Sequence, residues 1–347
     1  NVKALIPNGP GQKRCFLTNT SNISQVTSLA PVNQNGYFVD YKSSPIDSAY
    51  LIVSHKGLQP SANDYKAYRQ SIDGGSHQVI LAYIDELYDQ FAYGNKKNPL
   101  AIKNFCSFLS DSLPTPPKYL LLLGKSIKND QLKTNSTNWN ACDLPTMGIP
   151  SSDNLLTAGI KGSHSSAPYI PVGRISAKTN TQAGYYLDKV KSHELGLKKP
   201  EPDDWHKRVL HFAGGTDLNQ QQLFQSYLQS YSVTICDKLY GGTVFNFKKT
   251  TTAPIQITIS DSVKRLIDYG ASIITFFGHG SISGFDQAID DPNAYNNRDK
   301  YPLFIANSCY SGDIHTLGAN SASENFTLIR EKGSIGFIAS SSSGIVY

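Results

Sequence analysis

The stretch Ile273-Ile274-Thr275-Phe276-Phe277-Gly278-His279-Gly280-Ser281 decides how this chain is read. Large apolar and β-branched residues run straight into a histidine held between two glycines. Such a run predicts a buried strand, and the glycines mark where it stops. Taken alone, Gly-His-Gly is also what a flexible turn with a chance histidine would look like. The rest of the chain has to separate the two.

A second strand ends in the same way. Tyr301-Pro302-Leu303-Phe304-Ile305-Ala306-Asn307-Ser308-Cys309 is apolar up to a terminal thiol. His279 and Cys309 are 30 residues apart, enough for one crossover between neighbouring parallel strands. Adjacent strands lie about 4.8 Å apart, so side chains at the two tips can meet. In open α/β sheets functional groups gather at the carboxyl ends of strands. A thiol beside an imidazole is the minimum apparatus for covalent acyl transfer. Cys309 on its own also fits a small buried hydrophobe; two tips of matching character favour chemistry. Gly280 leaves room for a substrate carbonyl to approach the main chain. Its N–H, with that of Cys309, is the candidate donor to a developing oxyanion.

Around these tips, apolar runs alternate with amphipathic segments. Strands are predicted at 50–53, 77–83, 118–123, 169–174, 208–213, 272–277, 303–306 and 335–339, and helices at 63–71, 98–113, 181–195, 220–231, 255–269 and 322–331. A polar stretch at 125–166 reads mostly as loop, and Lys199-Pro200-Glu201-Pro202-Asp203-Asp204 reads as a joint. This order predicts an α/β protein with mostly parallel sheets covered by helices, in two halves. The expected division is 1–47, the tail of a preceding β-rich region; 48–200, a first α/β subdomain; and 201–347, a second carrying the tips.

The 347 residues suffice for one large or two ordinary domains, with 39% hydrophobic and only 17% charged residues. Ser, Asn, Thr and Gln carry the solubility. A net charge of +5 is spread along the chain with no basic run, which argues against nucleic acid as a partner. No window approaches the ~20 apolar residues of a membrane span. The chain opens on Asn1, shows no signal peptide and stops at Tyr347, so it is expected to be a piece of a longer polypeptide with its targeting information elsewhere. Cys15, Cys106, Cys142, Cys236 and Cys309 form no C-x-x-C pair, which disfavours a structural zinc site; their odd number leaves at least one thiol free if the others bridge.

Rival motifs fail on single residues. Leu123-Gly124-Lys125-Ser126 resembles the end of a phosphate-binding loop, but Tyr119 stands where that loop needs glycine. Gly280-Ser281-Ile282-Ser283-Gly284 puts Ile282 in the slot of a serine nucleophile. No H-E-x-x-H occurs. Asp286, Asp290 and Asp291 could bind a structural calcium ion or shape a substrate pocket, and also read as solvated turn residues. Glu324 could hydrogen-bond the active loops, or close a capping box with Ser321. His55 ends a strand of the other half and reads as structural.

The two tip blocks resemble the catalytic signature of the gingipain family of cysteine peptidases, which share the caspase-like fold. Ala49 to His55 resembles that family's opening strand; Ser152-Asp153-Asn154 with Ile170 to Ser176 resembles its middle block; Ser323-Glu324 and Gly333 to Ser340 resemble the segment after the nucleophile. The similarity covers roughly residues 48–347 and is closest in flavour to the PorU-type sortases of the type IX secretion system. Such enzymes remove a carboxy-terminal sorting domain from exported cargo and can join the new end to a surface lipopolysaccharide.

The resemblance implies two α/β subdomains with the site in the second, Cys309 as nucleophile, and His279 as general base and then acid. It also implies polypeptide cargo as substrate, outer-membrane secretion components as partners, and the cell surface of a Bacteroidetes-type bacterium as location. The reaction requires no cofactor. The family's acid that orients the histidine aligns with Ala213 here; Asp217 is the nearest substitute and equally fits a helix N-cap before Leu218. No counterpart of the family's arginine-selecting acid is evident. The missing acid motivates a second hypothesis, a weakly active or inactive adaptor of the secretion machinery. A caspase-like signalling protease is a third, which the charge-poor polar surface suits less well.

Overall fold

In the computed structural model, residues 9, 11, 14–15, 18–43, 46–256, 260–318 and 320–344 are described. The first sheet is built from β1 (Tyr50–Ser54), β2 (Val79–Tyr83), β3 (Tyr119–Leu123) and β4 (Val172–Ile175), in the order β2-β1-β3-β4, all parallel. Its strands read as continuous apolar runs because both faces are covered. Leu51 and Val53 of β1, with Leu120 and Leu122 of β3, pack on α2 (Ile84–Phe91) and α3 (Leu100–Ser112). Ile52, Leu121 and Leu123 point the other way, onto α1 (Gln59–Gln70) and α5 (Asn180–Leu197). The period of two in the side chains serves two cores at once.

The second sheet holds β5 (Arg208–Ala213), β6 (Thr243–Lys248), β7 (Ile273–Phe277), β8 (Leu303–Asn307) and β9 (Gly336–Ala339), in the order β6-β5-β7-β8-β9, again all parallel. Leu210, Phe212, Ile274, Phe276 and Phe304 face α7 (Asp261–Tyr269) and α8 (Ala322–Leu328). Ala213 and Phe277 face α6 (Leu218–Ile235), against Phe224 and Leu228. The chain leaves β5 outward to β6 and returns on the other side to β7, so the strand order reverses between β5 and β7. A crevice for ligands is expected at the carboxyl ends of such a pair.

Asp40–Tyr347 form one compact unit holding both sheets. Buried charges tie its halves together. Lys189 of α5 donates to the carbonyls of Phe326, Lys332 and Ser334 at 3.0–3.2 Å. Lys125, just past β3, meets Glu324 of α8 at 2.6 Å with both side chains almost fully enclosed. Glu324 also closes the capping box with Ser321 and accepts from the Ser176 hydroxyl at 2.7 Å. Asn1–Val39 are a separate unit; its described residues carry two single-turn 3-10 helices, at Thr20–Asn22 and Val32–Gln34, and no strand.

The predicted strands are present, β5 with the predicted bounds and the others with ends shifted by at most three residues. Three elements are additional, α2, α4 (Ser136–Ala141) and β6. α2 follows β2 with no intervening break, and β6 is a half-exposed edge strand. The helix predicted over 255–269 begins only at Asp261; Gln256 instead bridges to Gln287, and 257–259 lie outside the described residues. The loop at 125–166 includes the short α4.

Candidate active site

Phe277 at the end of β7 is paired with Asn307 at the end of β8. His279 and Cys309 each lie two residues beyond that pair. Paired residues of parallel neighbours point to the same face, and residues two apart share it. The register thus starts both turns from level strand ends, and the His279 ring lies on the α6 face, near Gln220 and Phe224. The ring is exposed and the thiol half-buried.

The glycines around His279 have measurable reasons. A Cβ on Gly278 would lie 2.6 Å from Cζ of Phe276 and 2.9 Å from Cα of Gly214, so the turn seats directly on the end of β5. A Cβ on Gly280 would lie 2.9 Å from Cβ and Oγ of Ser308 and 3.2 Å from the carbonyl oxygen of Cys309. The histidine turn and the cysteine turn are in direct contact, and no side chain larger than hydrogen fits between them. After Cys309 the chain reverses through Tyr310, whose φ of 56° is in the left-handed region that costs a non-glycine residue about 1 kcal/mol or more. The Tyr310 N–H donates to the Ser342 carbonyl at 2.9 Å and holds that turn.

Among the described residues the N–H groups of Gly280 and Cys309 reach no acceptor. Free main-chain donors at two touching turns are what an oxyanion site requires. The thiol itself receives the Gly344 N–H at 3.2 Å, and no hydrogen bond joins it to His279. A direct bond is not required before substrate arrives, since catalytic contacts tighten in the complex. Beside the imidazole opens a cleft of about 310 Å³, lined in part by Pro254, Ile255, Ser281 and Asp290. A larger cavity of about 580 Å³ lies away from the tips, between the edges of β4 and β9.

The imidazole has a partner that sequence reasoning missed. Its Nε2 lies 2.9 Å from Oε1 of Gln220, in the first turn of α6, and its ring centroid is 6.2 Å from that of Phe224, one turn on. Asp217, expected as a possible orienting acid, is the N-cap of α6: its carboxylate accepts the Gln220 main-chain N–H at 3.0 Å. It holds the helix end that carries the partner and makes no hydrogen bond to the histidine. Of the loop acids, Asp286 accepts from the Gly215 N–H at 2.7 Å and lies 3.6 Å from the fully buried Lys249. Its own N–H donates to the His279 carbonyl at 2.9 Å and fixes the turn. Asp290 accepts from the Phe285 N–H, and Asp291 caps the turn at Asn293. No three of the described His, Cys, Asp and Glu side chains converge as metal ligands. The five cysteines are all unpaired, with Cys106 and Cys142 deep in the cores. His55 caps a 3-10 turn through Nδ1 and the Gly57 N–H, a structural part.

Two all-parallel sheets clad in helices define an α/β protein of the caspase-like class, and solved structures of that class overlie it. One described as a protease matches at TM-score 0.62 and 18% identity, covering 90% of this chain and 62% of its own. The Arg-specific cysteine proteinase gingipain R matches at TM-score 0.62 and 16% identity, covering 86% of this chain and 65% of its own. The complex of the RgpB pro- and mature domains from Porphyromonas gingivalis matches at TM-score 0.62 and 16% identity, covering 85% and 64%. The chain thus spans just under two-thirds of each of these three solved chains. A search of the curated proteins gives no match. The chain belongs to peptidase family C25, whose family model matches residues 43–347.

Proposed function

We propose that this chain carries the catalytic centre of a cysteine endopeptidase or transpeptidase, with Cys309 as nucleophile and His279 as general base and acid. One observation carries the reading: the register of β7 and β8 brings the two tips level, with Gly280 against Ser308 and Cys309 and with N–H donors on both turns that reach no acceptor among the described residues. The thiol gives its proton to the imidazole, and sulfur attacks the scissile carbonyl while the oxyanion takes the N–H groups of Gly280 and Cys309. The imidazolium then protonates the departing amine. Proton transfer of this kind contributes about 10²–10⁴-fold, and a main-chain oxyanion donor a similar factor. Water or an amine resolves the acyl-enzyme. The reaction draws on no cofactor.

The substrate we infer from the gingipain-family resemblance is the carboxy-terminal sorting signal of exported cargo, processed with outer-membrane components of type IX secretion at the surface of a Bacteroidetes-type bacterium. Cells carrying Cys309→Ala in the whole protein then accumulate cargo with its sorting domain attached. A second reading, an inactive adaptor of the same machinery, is favoured by the amide that stands beside the histidine in place of an acid. Normal cargo processing in the Cys309→Ala cells would establish it over the first.

A further inference from the structure

We infer that Gln220 is the positioning residue for the base, that Thr216 orients it, and that together they set His279 in the tautomer protonated at Nε2, leaving Nδ1 as the working base. The inference rests on the peptidase reading for its consequence and on geometry alone for the tautomer.

An amide beside an imidazole is ambiguous, because its oxygen accepts and its nitrogen donates. Thr216 removes the ambiguity. Its main-chain N–H can only donate, and it lies 2.7 Å from the same atom of Gln220 that faces the ring; the Thr216 hydroxyl is 3.1 Å from that atom. The atom is therefore oxygen. Facing oxygen at 2.9 Å, Nε2 of His279 must carry the hydrogen. In the neutral ring the remaining lone pair is on Nδ1. The proton of the Cys309 thiol passes to Nδ1, sulfur bonds to the carbonyl carbon, and the same proton leaves on the amine as the carbon–nitrogen bond breaks. Nε2 keeps its hydrogen and its Gln220 contact throughout.

The support for Gln220 is built in layers. Asp217 fixes its main chain at the start of α6, and Phe224 and Tyr227 on the same helical stripe pack on Phe277, two residues before the histidine. The site sits where α6 begins after β5, at the reversal of strand order. An amide in place of an acid ordinarily endangers a triad, because a turned amide imposes the wrong tautomer and costs about 10⁴-fold. The Thr216 N–H blocks that turn. What the amide does not supply is negative charge, so imidazolium receives orientation without charge pairing.

The test is nitrogen NMR of the whole protein with labelled histidine, His279 being assigned by its loss in His279→Gln. At pH above the titration of histidine, the wild type shows a protonated Nε2 and a bare Nδ1. Gln220→Met keeps the bulk without the acceptor and gives a mixture of tautomers, and kcat falls about tenfold or more with KM little changed. Gln220→Glu keeps the acceptor and adds charge; it preserves the tautomer and moves the acid limb of kcat/KM to higher pH by about one unit. A wild-type ring protonated at Nδ1, or a tautomer indifferent to Gln220→Met, overturns the inference. The NMR result stands whether or not the chain cleaves peptides. A correct tautomer in a chain that never cleaves would therefore sink the peptidase reading alone, and cleavage with an indifferent tautomer would sink this inference alone.

Discussion

The carboxyl ends of the two sheets invite comparison, since both are rims of parallel strands built from similar apolar runs. At the first rim the charged and polar groups just past β3 and β4 are largely enclosed and paired. Lys125 and Ser126 are buried just past β3. Lys125 meets Glu324, Ser126 Oγ lies 2.5 Å from Nδ1 of the buried His315, and Arg174 grips both oxygens of Asp153 at 2.7 and 2.8 Å. At the second rim the imidazole is exposed, the thiol half-exposed, and two main-chain N–H groups reach no acceptor among the described residues. Unpaired polar groups are expensive only when buried; facing solvent, they cost little and stay available to a substrate. One architecture thus forms a seal at one rim and, at the other, the open rim where the catalytic centre is proposed.

The contrast can be broken by exchanging consequences between the rims. Cys309→Ala should cut peptide cleavage by at least about 10³-fold while moving unfolding free energy by less than about 0.5 kcal/mol, read by steady-state kinetics and denaturant titration. Glu324→Ala should do the reverse. Leaving Lys125 buried without its partner costs about 3–5 kcal/mol, whereas replacing both by apolar residues restores much of it. A Glu324→Ala protein as stable as the parent would mean that the first rim is not sealed as described.

Acid sharpens the same difference. Burial pushes His315 down to about 4, with Arg174 and Lys125 adding to the shift and Asp153 and Asp313 opposing it. The unfolded chain, with histidine near its ordinary ~6.5, binds a proton in that window which the folded chain refuses. Stability fully present above about pH 6.5 is therefore lost as pH falls toward 4, on the order of 3 kcal/mol from this group. Denaturant titrations across that range should show the slope, and His315→Asn should flatten it. The smallest effect belongs to the contact between the turns. Gly280→Ala must displace Ser308, which is itself buried, at about 1–3 kcal/mol, and it should lower kcat more than it raises KM.

Much of this was legible before the structure because strands buried on both faces announce themselves as apolar runs, and their ends as glycine or a polar residue. Both tips, His279 and Cys309, were found that way. α2 escaped because Ile84 continues the apolar run of β2 without a break. β6 escaped because an edge strand with a half-exposed face carries only weak alternation, Phe245 and Phe247 being its inward residues. Gln220 escaped for a different reason. A glutamine in the first turn of a helix is ordinary, and its role depends on a histidine 59 residues away. The signal present in the sequence was the stripe it begins with Phe224 and Tyr227, which shows the face of α6 turned toward β7. Asp217 drew attention as an acid, yet its position before a helix already assigned it as a cap.

The central claim is that Cys309 is the nucleophile of a site shared with His279. It is tested most directly by treating the protein with a peptidyl acyloxymethyl ketone and mapping the adduct by mass spectrometry. A single thioether on Cys309, lost in Cys309→Ala and strongly slowed in His279→Ala, is the result expected. Labelling that persists without the Cys309 sulfur, or that falls equally on exposed Cys15 and Cys236, would contradict it.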